Sequence, residues 1–195
     1  IDYSLENVLK INFKTINFFL HYKKEQVKEY IRNNLKKFHS NFYYEKKPLG
    51  TIGGLSQLKM NDDTDIFILI NADVVCSIDF ERLIDFHKSN KSDFTIVTSQ
   101  KEIQLKYGLL KNLNLNIDSI YEKPSLSFNI NTGIYLFNPN LLKLIKKNQV
   151  MDAVSFIKLL KQNKKKIISY PIYENWFDLG TPEDLKQFKN FQKNL

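Results

Sequence analysis

Two aspartates in this 195-residue chain stand where a carboxylate can do chemistry. Asp73 follows the apolar run 66–70 and Asn71-Ala72, and Asp178 closes Trp176-Phe177 just ahead of Gly180. In open α/β sheets, ligands gather outside the carboxyl ends of the strands. A carboxylate emerging there is an oxygen ligand for a hard cation such as Mg²⁺, and two of them from separate strand ends can hold one divalent ion that neutralises a triphosphate. The alternative duty for Asp73 is to cap the helix that follows. Asp79 suits that duty better, since it stands directly before the helical run 80–88. Thr181, Pro182 and Asp184 read as a helix start, with a hydroxyl cap, proline in the first turn and an acid at the positive end. That reading explains those three residues and leaves Asp178 without a structural duty.

The other reactive side chains carry weaker signals. Lys123 follows a strand in Glu122-Lys123-Pro124, where an ammonium could meet a phosphate as a point charge, although a solvated surface lysine is the default. Asn71-Ala72-Asp73 lacks the Asp-x-Asp of many sugar-transferring enzymes, which argues against an enzyme that consumes a finished nucleotide sugar. His21, His39 and His87 read as structural, His87 because it recurs with Phe80, Leu83 and Ile84 at helical spacing. Cys76 is the single cysteine, so no internal disulfide can form, and it reads as packing.

The elements that must position these groups follow from hydrophobic periodicity. SLENVLKINF carries Leu5, Val8, Leu9 and Phe13 at helical spacing; TINFFLHY reads as a strand and KEQVKEYIRNNLKKF as a helix. SNFYYE is a second strand, and Pro48, Gly50, Gly53 and Gly54 mark a sharp loop leading into a helix around LSQLKM. The run 66–70 reads as a central parallel strand buried on both faces, with helix returning at once in FERLIDFHK. Strands are then expected in DFTIVTS, YGLLK, IDSIYEKP, NINTGIYLF, KIISYPIY and NWFDLG, and helices in NLLKLIKK, AVSFIKLLKQ and TPEDLKQFKNF. Early alternation with a later strand cluster predicts a three-layer αβα sandwich around a mixed, Rossmann-like sheet.

Length and a hydrophobic content of 43% suit one domain spanning 1–195 with a substantial core. No apolar run is long enough to cross a bilayer, so a soluble cytoplasmic protein is expected, with no membrane partner. The net charge of +8 comes almost wholly from lysine, with Arg32 and Arg82 the only arginines. Bidentate reading of guanine and phosphate favours arginine, so nucleic acid is not an expected partner. The chain opens on Ile1 inside a helical pattern, and its natural start is expected further upstream. An apolar edge near Ile1 could promote homo-oligomerisation.

Seven blocks in order, HYKKEQVKEYI, EKKPLGTIGGL, ILINADVVCSIDF with a later FH, YGLLK, IYEKP, INTGIYLFNP and WFDLGTPEDL, together resemble the sugar-1-phosphate nucleotidyltransferases almost end to end. Details resemble the branch of mannose-1-phosphate and heptose-1-phosphate guanylyltransferases. The resemblance implies that a sugar-1-phosphate attacks a nucleoside triphosphate, releasing pyrophosphate and leaving a nucleotide sugar. It implies Asp73 and Asp178 as Mg²⁺ ligands, and Gly50, Thr51 and Gly53 beside the nucleobase and ribose. Gly108 would line the sugar pocket, Glu122 would bind sugar hydroxyls, Lys123 would hold the sugar phosphate, and Asn131 and Thr132 would complete the sugar wall. The family's Gly-rich G-x-G-T-R loop, its following lysine and the first strand are missing from this sequence. A non-catalytic regulatory or assembly subunit of the same fold is therefore the alternative expectation.

Overall fold

The computed structural model describes residues 2–5, 8–59 and 64–193. Its centre is a four-stranded mixed sheet built from β3 (Phe67–Ile70), β5 (Phe94–Gln104), β8 (Ser125–Phe137) and β9 (Ile167–Ile172), in the order β3-β8-β5-β9. β8 runs antiparallel to both β3 and β5, while β9 runs parallel to β5. Side chains alternate across the pleat and so supply two separate cores. Phe67, Leu69, Phe94, Ile96, Tyr135 and Phe137 face one cluster with Ile52, Leu55, Phe156 and Leu160. Ile68, Ile70, Val97, Ile134 and Leu136 face the other, with Phe80 and Leu83. Helical layers on both faces give the three-layer sandwich that the sequence pattern predicts.

The two covering helices form where local chemistry starts them. In α4 (Phe80–Ser89), Asp79 accepts hydrogen bonds from the Glu81 and Arg82 N–H groups at 3.0 and 3.1 Å, confirming it as the cap. Phe80, Leu83 and His87 then turn inward at helical spacing. In α5 (Ala153–Gln162), Asp152 accepts from the Ser155 N–H at 2.7 Å, and Ala153, Phe156 and Leu160 are buried. Removing a Phe or Leu side chain of that kind from water contributes about 1.5–3 kcal/mol.

Several expectations need correction. Residues 67–70 do not form a central parallel strand: among the described residues β3 pairs only with β8, antiparallel, and all four of its residues are half-buried. An apolar run shows that a strand is buried without showing where in the sheet it lies. Helix does not return immediately after Asp73, because β4 (Val74–Cys76) intervenes and pairs antiparallel with β10 (Trp176–Asp178). In SLENVLKINF the described residues form the single turn α1 (Asp2–Leu5) and a 3-10 turn Val8–Lys10, with Phe13 outside both; Glu6 and Asn7 of the expected helix lie outside the described residues. NLLKLIKK becomes a 3-10 turn, Pro139–Leu144. The glycines of PLGTIGG lie inside the helical turn α3 (Gly50–Gly53) and the 3-10 turn Gly54–Gln57, so helix starts earlier than expected; Met60 of the expected LSQLKM helix lies outside the described residues.

The remaining strands flank the central sheet. β1 (Ile16–Leu20) pairs parallel with β2 (Ser40–Tyr44) across α2 (Lys24–Asn34), which buries Ile31. β6 (Leu109–Leu113) and β7 (Asn116–Tyr121) form an antiparallel hairpin between β5 and β8. The chain ends in α6 (Pro182–Lys193), where Thr181 Oγ1 accepts from the Asp184 N–H at 3.2 Å and donates to Asp184 Oδ2 at 2.6 Å. This is the reciprocal helix start expected from Thr181, Pro182 and Asp184.

Candidate active site

The short β4–β10 ladder carries both candidate carboxylates to one rim. Asp178 lies opposite Val74, and the Leu179 N–H donates to the Asp73 carbonyl at 2.8 Å. The chain then turns at Gly180, whose N–H donates to Asp178 Oδ1 at 3.0 Å. A Cβ on Gly180 would stand 3.1 Å from Asp178 Oδ1 and 3.8 Å from Asp73 Oδ2, so the two exposed carboxylates border one small space. Among the described residues no group of three or more His, Cys, Asp or Glu side chains assembles, so the pair stands without a third protein carboxylate. Such a pair leaves coordination positions open, as a Mg²⁺ shared with phosphate oxygens and water requires.

Trp176, which the sequence pattern did not single out, ties this ladder to the main sheet: its Nε1–H donates to the Thr132 carbonyl at 3.0 Å. A single Trp beside a half-buried strand is the available signal, because a buried indole N–H needs an acceptor. Asn71 is a second contributor of this kind. Its N–H donates to the Gly133 carbonyl at 3.0 Å, and a Cβ on Gly133, at φ +79°, would collide with the Asn71 amide at 2.7 Å. Only glycine fits there without strain, so INTG brings β8 tight against the end of β3.

The expected sugar-wall residues are committed within the protein. Thr132 is buried, with Oγ1 donating to the Val97 carbonyl at 2.9 Å. Asn131 donates from Nδ2 to Tyr135 Oη at 2.6 Å and accepts from the Gly133 N–H at 3.1 Å. Burial raises the Tyr135 phenol above its ordinary pKa, against the lowering effect of the Asn131 hydrogen bond.

The PLGTIGG loop is braced by the segment before α5. Both the Ile52 and Gly53 N–H groups donate to the Met151 carbonyl, at 3.0 and 3.1 Å, and the Met151 N–H donates to the Leu49 carbonyl at 2.8 Å. Gly53 is buried, and a Cβ there would meet the Gln149 carbonyl. Gly50 adopts φ +76° and is exposed, with Thr51 half-buried beside it. Gly50 and Thr51 are thus the open members of the trio.

Gly108, Glu122 and Lys123 form a third group at the root of the β6–β7 hairpin. A Cβ on Gly108 would lie 3.4 Å from Glu122 Oε2, and Lys123 Nζ lies 3.9 Å from Glu122 Oε1, with both side chains largely exposed. Lys123 takes φ +45°, a left-handed turn between β7 and β8. From Ser125 to Asn131 the β8 strand covers roughly 20 Å of path, so this group is joined to the carboxylate rim through an extended ribbon.

Two residues expected to be structural are so. His87 is buried, with Nδ1 2.7 Å from Thr95 Oγ1 and Nε2 3.2 Å from Asn138 Oδ1, and burial lowers its pKa. Cys76 is buried, and desolvation raises its thiol to about 11.

A mixed sheet between helical layers, with an acidic pair brought together at one rim, defines a Rossmann-like α/β domain. The chain belongs to the nucleotidyl transferase family, whose model matches residues 1–194. It is 32% identical over 194 residues to a mannose-1-phosphate guanyltransferase of Yarrowia lipolytica, covering 94% of this chain and 53% of that protein. It is 30% identical over 190 residues to a mannose-1-phosphate guanylyltransferase catalytic subunit beta of Drosophila melanogaster, covering 93% and 51%. The chain thus spans about half the length of these curated relatives. Its fold is shared with HddC from Yersinia pseudotuberculosis, at TM-score 0.70 and 23% identity, over 96% of this chain and 83% of that one. A UDP-glucose pyrophosphorylase solved with UDP-glucose shares it too, at TM-score 0.68 and 18% identity, over 100% and 86%.

Proposed function

We propose that residues 1–195 form most of one catalytic domain that, in the full-length protein, joins a sugar-1-phosphate to a nucleoside triphosphate. The convergence of the Asp73 and Asp178 carboxylates beside Gly180 is the observation that carries this reading. Family membership and the names of the relatives support the reaction class.

The reaction is an in-line displacement. A sugar-phosphate oxygen forms a bond to the α-phosphorus, the α–β bridging P–O bond breaks, and pyrophosphate leaves with that electron pair. Because such a transfer needs no enzyme-bound intermediate, the protein contributes alignment and charge neutralisation. Asp73 and Asp178 would hold Mg²⁺, which when bound offsets the charge of the triphosphate. Asp178 gives one lone pair to the Gly180 N–H and keeps others for a ligand. Lys123 faces the sugar phosphate as a point charge, Glu122 accepts from sugar hydroxyls, and Gly108 leaves room for the ring beside Glu122. Gly50 and Thr51 present backbone groups to the nucleoside, with Gly53 holding the loop against Met151. Asn131 and Thr132 support the sugar side from below.

GTP and mannose-1-phosphate are the substrates best supported by the relatives' names. Among the described residues no helix is long and apolar enough to cross a membrane, and a cytoplasmic setting suits the reaction's substrates. The test is pyrophosphate release by the full-length protein with Mg²⁺, across a panel of nucleoside triphosphates and sugar phosphates. Release with at least one pair supports the proposal. No release with any pair, together with no Mg²⁺-dependent nucleotide binding by calorimetry, overturns it in favour of a non-catalytic subunit.

A further inference from the structure

Glu45 stands where the first strand pair hands over to the PLGTIGG loop, and the catalytic reading leaves it unused. Its N–H donates to the Leu20 carbonyl at 2.9 Å, one step past the Leu20–Tyr44 pair that ends the β1–β2 register. The side chain is half-buried and reaches forward along the chain, where Oε2 accepts from the Leu49 N–H at 3.1 Å. Between the two, Lys46, Lys47 and Pro48 form an exposed bend, and Pro48 has no N–H with which to brace it.

The second carboxylate oxygen lies against the far end of the loop. A Cβ on Gly54 would run into Glu45 Oε1 and would stand 3.1 Å from Phe19 Cδ1. Phe19 is itself stacked on Tyr43, with ring centres 5.1 Å apart. One carboxylate thus touches both ends of the segment 49–54.

Leu49 is 5% exposed, and both of its backbone groups are committed: the N–H to Glu45, the carbonyl to the Met151 N–H at 2.8 Å. Met151 anchors the loop from the α5 side and Glu45 from the β2 side. Gly50 comes next, at φ +76°, and is exposed. An ionised acceptor bonds a backbone N–H roughly twice as strongly as a neutral one, and an N–H left buried without an acceptor is costly. Without the Glu45 acceptor, Leu49 would have to shift to satisfy its N–H, and Gly50 and Thr51 would move with it. We infer that Glu45 is a positioning residue for the nucleoside triphosphate, acting through Leu49 to hold Gly50 and Thr51 where they meet the nucleoside. This role rests on the catalytic reading proposed above. Glu45 fills it by reach and hydrogen bonding, and its charge alone would not suffice.

Steady-state kinetics of pyrophosphate release by the full-length protein test this, with the two substrates of the active pair varied in turn, GTP and mannose-1-phosphate first. Glu45→Ala removes the anchor, and Glu45→Asp, one methylene shorter, keeps the charge but falls short of Leu49. Both are expected to raise KM for the triphosphate at least ~10-fold, with kcat and KM for the sugar phosphate staying within about 3-fold. Glu45→Gln keeps the reach and an acceptor oxygen, and should restore the triphosphate KM to within ~3-fold. Amide exchange gives a readout besides activity: in Glu45→Ala the Leu49 amide should exchange at least ~10-fold faster while the β5 amides are unchanged. An active protein whose Glu45→Ala form keeps its triphosphate KM overturns the inference, as does unchanged Leu49 exchange. Rescue by aspartate and not by glutamine also overturns it, by assigning Glu45 a charge role. An unsubstituted protein that releases no pyrophosphate overturns the catalytic reading itself, and the role of Glu45 in binding along with it.

Discussion

The Leu179 N–H and the Asp73 carbonyl are 2.8 Å apart, and this backbone bond sets where two acidic side chains meet. It extends the β4–β10 ladder by one step beyond the Asp178–Val74 pair. With the ladder in place, the Gly180 turn draws Asp178 Oδ1 onto its own N–H and leaves Asp73 Oδ2 facing the same space. Backbone pairing thus does the positioning, and the carboxylates remain exposed for a ligand.

Substituting either acid should separate catalysis from folding. Asp73→Ala and Asp178→Ala in the full-length protein are expected to lower turnover by at least ~10²-fold, since each would remove a metal ligand that stabilises transition-state charge. Both residues are exposed, so circular dichroism should be unchanged. Unaltered pyrophosphate release from either variant would remove that residue from the site.

Trp176→Phe keeps most of the packing and deletes the N–H that reaches the Thr132 carbonyl. An acceptor left without its donor costs about 1–3 kcal/mol, so urea unfolding should shift by that amount. Because Trp176 anchors the strand bearing Asp178, Mg²⁺ dependence should move to higher concentration in the same variant. A stability loss with unchanged Mg²⁺ dependence would show that β10 keeps its place without the indole bond.

His87 predicts a direction for acid sensitivity. Burial holds its folded pKa below the ordinary 6.5, so the unfolded chain takes up the proton first as pH falls. Its contribution to stability is therefore complete above about pH 6.5 and declines below it. His87→Gln should flatten this part of the stability-versus-pH curve in urea titrations between about pH 7 and 5. A slope unchanged by the substitution would assign the acid sensitivity to other groups.

Cys76 should be chemically silent in the folded protein. With its thiol raised to about 11 by burial, the thiolate that reacts is scarce at neutral pH. A disulfide reagent at about pH 8 should titrate one thiol after denaturation and react far more slowly before it. Fast reaction in native buffer would show that the β4 strand opens readily.

Much of the architecture was legible because it depends on local chemistry. The inward residues of α4 and α5 recur at helical spacing, and Asp79 and Thr181 each cap within three residues of themselves. The blocks of the family resemblance lie in order along the chain, which is why the fold and reaction class could be read from the letters alone. Both strands of the β6–β7 hairpin were legible too, as separate apolar runs on either side of an Asn-rich stretch.

What stayed hidden depends on distant pairing. β4 is three residues long, too short to show a period, and exists because β10 pairs with it from far along the chain. The apolar run at β3 signals burial yet cannot indicate an antiparallel neighbour on one side only. Thr132 and Gly53 match a site motif in the letters, but their hydroxyl and N–H are taken by Val97 and Met151, partners remote in sequence. The sequence by itself determined the family, the main elements and the pair Asp73 and Asp178 as candidates. Only the tertiary structure decided that those two meet at Gly180, since strand pairing at long range depends on contacts that no local pattern encodes.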